Sequence, residues 1–118
     1  MTLQECYEAL GGSYAEVSAR LPSEKFIQKF VLKFLDDKTY GLLRDSWRDE
    51  NWEEAFRAAH TVKGMCQNLS FTTLEKSSSA LTEALRGGRS AGAGELFEEV
   101  RRDYALTMDT IKEYKAGL

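Results

Sequence analysis

The stretch NWEEAFRAAHTVKGMCQNLS, Asn51 to Ser70, decides how the rest of the chain is read. Asn51 with Glu54 three residues on has the spacing of a capping box, so a helix opens at about Trp52 and runs to Leu69. Projected at about 100° per residue, Ala55, Ala58, Ala59, Val62, Met65, Cys66 and Leu69 gather on one side, which is the expected core face. His60 lies about 160° from the centre of that face and therefore points to solvent. Glu53, Arg57, Lys63, Gly64 and Gln67 share or flank its side.

Working outward, the same helical period recurs on both sides. Towards the N-terminus, Thr2 and Glu5 form a capping box ahead of Leu3, Cys6, Tyr7 and Leu10, and Gly11-Gly12 ends that segment. A second short helix starts at Ser13, with Glu16 three residues on, and stops near Leu21 because Pro22 disfavours helix in the residue before it. Ser23 caps a third stretch, in which Phe26, Ile27, Phe30, Val31, Phe34 and Leu35 form a stripe expected to pack into the core. Asp36-Asp37 interrupts it, and Thr39 starts another helix with Tyr40, Leu43 and Trp47 as its apolar side. Trp47 and Trp52 are expected to cover an end of the bundle. Towards the C-terminus, Ser70 is expected to cap a helix carrying Leu74, Leu81 and Leu85, which Gly87-Gly88 ends. The last helix runs from about Ala93 to near Ala116 on Leu96, Phe97, Val100, Tyr104, Met108 and Ile111. No period-two alternation and no Asn-Gly or Asp-Gly turn signals a strand. Amphipathic helices joined by short connections predict an all-α fold, an antiparallel four-helix bundle with short N-terminal helices. The expected organisation is one domain over 1–118, with 1–22 as a helical extension and 23–118 as the bundle.

The 118 residues suffice for one core without staples. A net charge of −3 argues against nucleic acid as the main partner. No run is long and apolar enough to span a membrane, and the first residues lack the pattern of a signal peptide, so a cytoplasmic monomer is expected. Cys6 and Cys66 have no metal-binding spacing and read as two reduced thiols. No metal site is expected. The charges from Arg101 to Asp103 read as a solvated face.

The surroundings of His60 suggest chemistry. Neutral imidazole is a nucleophile near neutral pH and needs no strong base to activate it. Lys63, one turn away, places a cation beside a phosphorylated ring. Gly64 costs about 1 kcal/mol relative to alanine in mid-helix, and close approach by another protein's backbone is a reason for it. Gln67, two turns on, is placed to bond a phosphoryl oxygen or to fix the ring. Phe56 and Arg57 are candidates for docking or steering a partner. Phosphoryl transfer is mostly positioning and charge stabilisation, so an exposed histidine suffices if a partner brings the metal and the leaving group. With no P-loop and no kinase Gly-rich loop, the chain is not expected to bind ATP or to be an enzyme in its own right.

The segment AAHTVKGMCQNLS, Ala58 to Ser70, resembles the signature of the histidine phosphotransfer (HPt) family, His-Thr-hydrophobic-Lys-Gly. The resemblance extends from about Ser23 to the C-terminus and implies a four-helix bundle whose second helix carries the phosphorylated histidine. It implies His60 as phosphoryl acceptor and donor, Lys63 as the charge-stabilising lysine, Gly64 as the glycine that admits the partner and Gln67 as a polar residue near the phosphoryl group. Ser70 stands where the family commonly has glycine, and Met65 and Cys66 are larger than its usual small residues. The implied role is a phosphorelay intermediate between a sensor histidine kinase and response-regulator receiver domains. It needs no cofactor of its own, because the receiver domain supplies magnesium. Two other readings stand beside it: the phosphoacceptor domain of a larger sensor or chemotaxis-type kinase, and a helical adaptor that is never phosphorylated.

Overall fold

A computed structural model describes residues 1–118. It contains seven helices and no strand: α1 (Leu3–Leu10), α2 (Tyr14–Arg20), α3 (Glu24–Phe34), α4 (Thr39–Arg48), α5 (Trp52–Leu69), α6 (Thr72–Leu85) and α7 (Gly94–Ala116). The local signals explain where most of them begin. Thr2 Oγ1 accepts the Glu5 N–H at 3.1 Å while the Glu5 carboxylate accepts the Thr2 N–H at 2.8 Å, a complete capping box. Ser13 and Ser23 each accept one N–H, from Glu16 and Phe26.

At α5 the box is only half made. Asn51 Oδ1 accepts the Glu54 N–H at 3.3 Å, but the Asn51 N–H bonds to the Ser46 carbonyl, and the Glu54 carboxylate turns to Arg57. The expectation for Ser70 is also corrected. Ser70 closes α5 instead of opening α6, with φ 57° and ψ 40° in the left-handed region. Phe71 precedes α6 and makes no side-chain cap. A position of this kind favours glycine, because a Cβ crowds the following carbonyl.

Helix α5 is central, packed between α4 and α6, while α7 lies on α6 and also on α1. Ala55, Ala58, Ala59, Val62, Cys66 and Leu69 of α5 are all buried, so the face read from the wheel is the packed one. Met65 is the exception: it lies at the border of that face, half-buried. Trp47 stacks on Phe97 at 4.4 Å with nearly parallel rings and meets Trp52 edge-on at 5.0 Å. Of the small polar side chains buried on α6 and α7, Ser78, Thr82 and Thr107 donate to carbonyls one turn back in their own helices. No buried side-chain polar atom lacks a partner.

The stripe on α3 divides. Ile27, Val31 and Phe34 are buried, but Phe26 and Phe30 remain 39% and 37% exposed. The helix does bury one face, but too little of the molecule reaches around it to cover the two outer rings.

The N-terminal helices clasp the turn between α5 and α6. The buried Tyr7 donates its hydroxyl to the Leu69 carbonyl at 2.7 Å. Arg20 Nη2 lies 2.8 Å from the carbonyl oxygens of both Gln67 and Asn68 and 2.6 Å from Ser70 Oγ. The Ser13 N–H bonds to the Ser70 carbonyl, and the Thr73 N–H to that of Gly11. Gly12 permits this approach: a Cβ there would fall 2.7 Å from the Ser70 carbonyl oxygen. A cation at the C-terminal end of α5 also suits the negative pole of that helix.

Candidate functional site

The site is built on the outer face of α5. His60 is exposed, and Lys63 and Gly64, three and four residues on, are half-buried beside it. Gly64 is instructive, because a Cβ built on it would meet nothing within 4 Å. Nothing inside the molecule therefore requires glycine there. Gln67 is exposed two turns along, about 10 Å farther up the helix axis. Its backbone carbonyl is one of those held by Arg20, so the end of the helix that carries it is anchored.

Phe56, one turn before His60, lies with its ring nearly parallel to the imidazole, the centroids 6.0 Å apart. Arg57 is exposed but engaged: its guanidinium pairs with Glu54 at 2.9 Å and reaches Glu53 at 3.9 Å. It stands as part of a surface charge cluster on the first turns of α5, not as a free cation.

Helix α6 and the residue that closes it contribute Glu83 and Arg86, which sequence reasoning missed. The Arg86 guanidinium lies 5.2 Å from the centre of the Phe56 ring, a cation–π contact. Arg86 also pairs with Glu83 at 2.8 Å. The hydrogen bond from Arg86 and then its charge hold the Glu83 carboxyl below the usual carboxylate range, with smaller help from Lys63 and His60. Glu83 is thus within electrostatic reach of both. Spacing along α6 shows only that Glu83 and Arg86 can pair with each other. The packing of α5 on α6 is what brings Arg86 onto the Phe56 ring.

These side chains form an open surface. An exposed imidazole lies beside an aromatic ring, with Lys63 and a bare patch of helix backbone at Gly64 one turn on; Arg86, paired with Glu83, meets that ring. No group of three or more His, Cys, Asp or Glu side chains is placed to hold a metal ion. The thiols lie elsewhere, both free and buried. Burial, chiefly, pushes Cys6 up to about 11 and Cys66 up to about 12, so neither is a nucleophile near neutral pH.

The model of the Hpt domain family matches residues 35–111, from just after α3 through most of α7. The chain belongs to the Hpt domain family. It is a histidine phosphotransfer domain of two-component phosphorelay signalling, and its sequence holds a single histidine. Comparison with curated proteins gave no significant match, and comparison with solved structures gave none. The match leaves α1, α2 and α3 outside the Hpt region, so the clasp on the α5–α6 turn comes from residues that precede it. No helix is long and apolar enough to cross a membrane.

Proposed function

We propose that this Hpt domain is a phosphorelay intermediate that carries its phosphoryl group on His60. One observation bears most of the weight: the single histidine of an Hpt-family chain stands exposed beside Lys63, on a helix face left bare at Gly64. In the forward step, an imidazole nitrogen attacks the phosphorus of an aspartyl phosphate on a receiver domain. The N–P bond forms, the acyl P–O bond breaks, and the receiver carboxylate leaves with the electron pair. The reverse step returns the phosphoryl group to a second receiver. Magnesium comes with the receiver domain, and this chain supplies no nucleotide chemistry.

Lys63 and Arg86 are the cations that balance the phosphoryl charge. Arg86 exchanges part of its contact with Glu83 for a phosphoryl oxygen, at little cost because both groups are exposed. Phe56 holds the Arg86 guanidinium and one side of the imidazole. Gly64 admits the partner's backbone, Gln67 offers a further hydrogen bond, and Arg57 contributes to steering. In this reading the chain is one cytoplasmic, monomeric domain over 1–118. Residues 23–118 form the antiparallel four-helix bundle, with α4 to α7 as its helices, and residues 1–22 are the extension that clasps it. The successive packing of α4 on α5, α5 on α6 and α6 on α7 supports that arrangement.

The test mixes the protein with a phosphorylated receiver domain and magnesium and maps the transferred label. We expect an acid-labile phosphoramidate at His60 and none in His60→Gln. Label retained by His60→Gln would overturn the assignment, and labelling by ATP alone would contradict a passive relay.

A further inference from the structure

Arg86 is held by more contacts than an exposed arginine ordinarily keeps. It closes α6, and its backbone has left the helix at φ −58° and ψ 132°. Its guanidinium donates twice to the Glu83 carboxylate, from Nε at 3.1 Å and from Nη2 at 2.8 Å. The same group lies 5.2 Å from the centre of the Phe56 ring, and that ring lies nearly parallel to the His60 imidazole, the centroids 6.0 Å apart.

An exposed ion pair three residues apart on a helix is ordinarily a minor stabiliser of its own helix. Arg48 with Asp45 and Arg101 with Glu98 fit that description. The pair of Arg86 with Glu83 differs, because its cation also meets an aromatic ring of the neighbouring helix, the ring beside His60. The carboxylates on the first turn of α5 are occupied elsewhere: Glu53 and Glu54 engage Arg57. The Glu83 carboxyl is held below the usual carboxylate range first by the hydrogen bond and charge of Arg86, and to a smaller degree by Lys63 and His60. A carboxylate stabilised by those cations is destabilised when a phosphoryl group, carrying about two negative charges near neutral pH, takes them over.

We propose that Glu83 is a positioning residue that sets the transfer potential of the phosphohistidine: its carboxylate withholds part of the Arg86 charge, so the phosphoryl group on His60 is held loosely enough to be passed on. This role rests on His60 being the phosphoryl carrier. In the exchange, an imidazole nitrogen forms the N–P bond and the acyl P–O bond of the receiver's aspartyl phosphate breaks. The receiver carboxylate leaves with the electron pair, and the proton on the second ring nitrogen passes to solvent. With Glu83 in place, Arg86 divides its hydrogen bonds between the carboxylate and the phosphoryl oxygens, and like charges face each other across the guanidinium. A relay intermediate has to be unloaded as well as loaded, and this repulsion favours unloading. Without the Glu83 charge, Arg86 is left wholly to the phosphoryl group, so the loaded form is favoured and donation slows.

The full chain is mixed at fixed concentration with a receiver domain carrying an aspartyl phosphate and with magnesium. The ratio of phosphohistidine to phosphoaspartate is read at the plateau, together with the rate of return to the receiver. Glu83→Gln, which keeps the shape and removes the charge, should raise the ratio about threefold, the scale of one exposed charge pair, and slow the return. Glu83→Asp, which keeps the charge, should stay closer to wild type. In an Arg86→Ala background, Glu83→Gln should produce a smaller rise, because the cation through which it acts is gone. A ratio unchanged or lowered in Glu83→Gln, a shift of the same size in Glu83→Asp, or an undiminished rise without Arg86 would each overturn the proposal and leave the relay reading of His60 standing. A wild-type chain that takes no label would overturn both.

Discussion

At the scale of single residues, the informative feature is a side chain that is missing. Gly64 sits in mid-helix with open space where its Cβ would be, so its cost to the helix is not repaid by any internal contact. Gly64→Ala should raise stability by about 0.5–1 kcal/mol in urea titration while slowing phosphotransfer. Gly64→Glu should stay folded and nearly abolish transfer, because it adds bulk and repels an incoming phosphoryl group. A folded Gly64→Glu that accepts phosphate at the wild-type rate would show that the partner does not approach across this face. The two cations can be separated in the same assay. Lys63→Ala and Arg86→Ala should each slow transfer or shorten the life of the phosphohistidine, with stability changed by less than about 0.5 kcal/mol. The double variant should be slower than either. A lifetime and rate unchanged in Arg86→Ala would leave that arginine as a surface partner of Glu83 and nothing more.

At the scale of elements, the turn between α5 and α6 concentrates the unusual geometry. Ser70 holds a left-handed conformation there and also presents its hydroxyl to Arg20 at 2.6 Å. The two effects can be pulled apart. Ser70→Ala keeps the backbone strain and loses the charge-assisted bond, so we expect a loss of about 1.5–3 kcal/mol. Ser70→Gly loses the same bond but relieves the crowding at Cβ, and should be more stable than Ser70→Ala by about 1 kcal/mol. Chemical denaturation of the pair decides it. Equal stabilities would mean that the left-handed conformation costs this chain little. Family-type sequences commonly have glycine at this position. Here the serine is accounted for by Arg20 of α2, a helix outside the matched region.

At the scale of the whole molecule, the core links stability to alkaline pH. Cys66 and Cys6 are pushed up to about 12 and about 11 from an ordinary thiol value of 9.0, in both cases first by burial. Unfolding exposes both thiols, which then lose their protons at lower pH than in the folded chain. Between the unfolded and folded values the unfolded state binds fewer protons, so stability falls as pH rises. The contribution is fully present below about pH 8, declines from about pH 9, and is lost by the time the folded thiols themselves ionise. Urea midpoints measured from pH 7 to 10.5 should be flat and then fall, and Cys66→Ala should show a shallower fall from a lower starting stability. An unchanged slope in that variant would move the alkaline sensitivity to other groups, of which the buried Tyr7, also raised by burial, is the first.

What the sequence determined by itself was short-range. Caps at Thr2, Ser13, Ser23 and Asn51, the breaks at Gly11 and Gly87, and the period of α5 all depend on residues within a turn or two, where spacing fixes geometry. The solvent-facing position of His60 followed for the same reason, since one long helix has only one side on which Ala55, Ala59, Val62 and Cys66 can be buried together. What only the tertiary structure decided was which apolar faces find a neighbour and which distant residues meet. Phe26 and Phe30 have the same helical period as Ile27 and Val31, yet they remain exposed, because burial depends on the elements packed against α3 and not on the pattern within it. The Ser70 hydroxyl caps no helix but meets Arg20, fifty residues earlier. Arg86, paired with Glu83, meets the Phe56 ring beside His60 only through the packing of α6 on α5. Periodicity describes a helix from within, whereas the composition of a surface site is set by the helices that close around it.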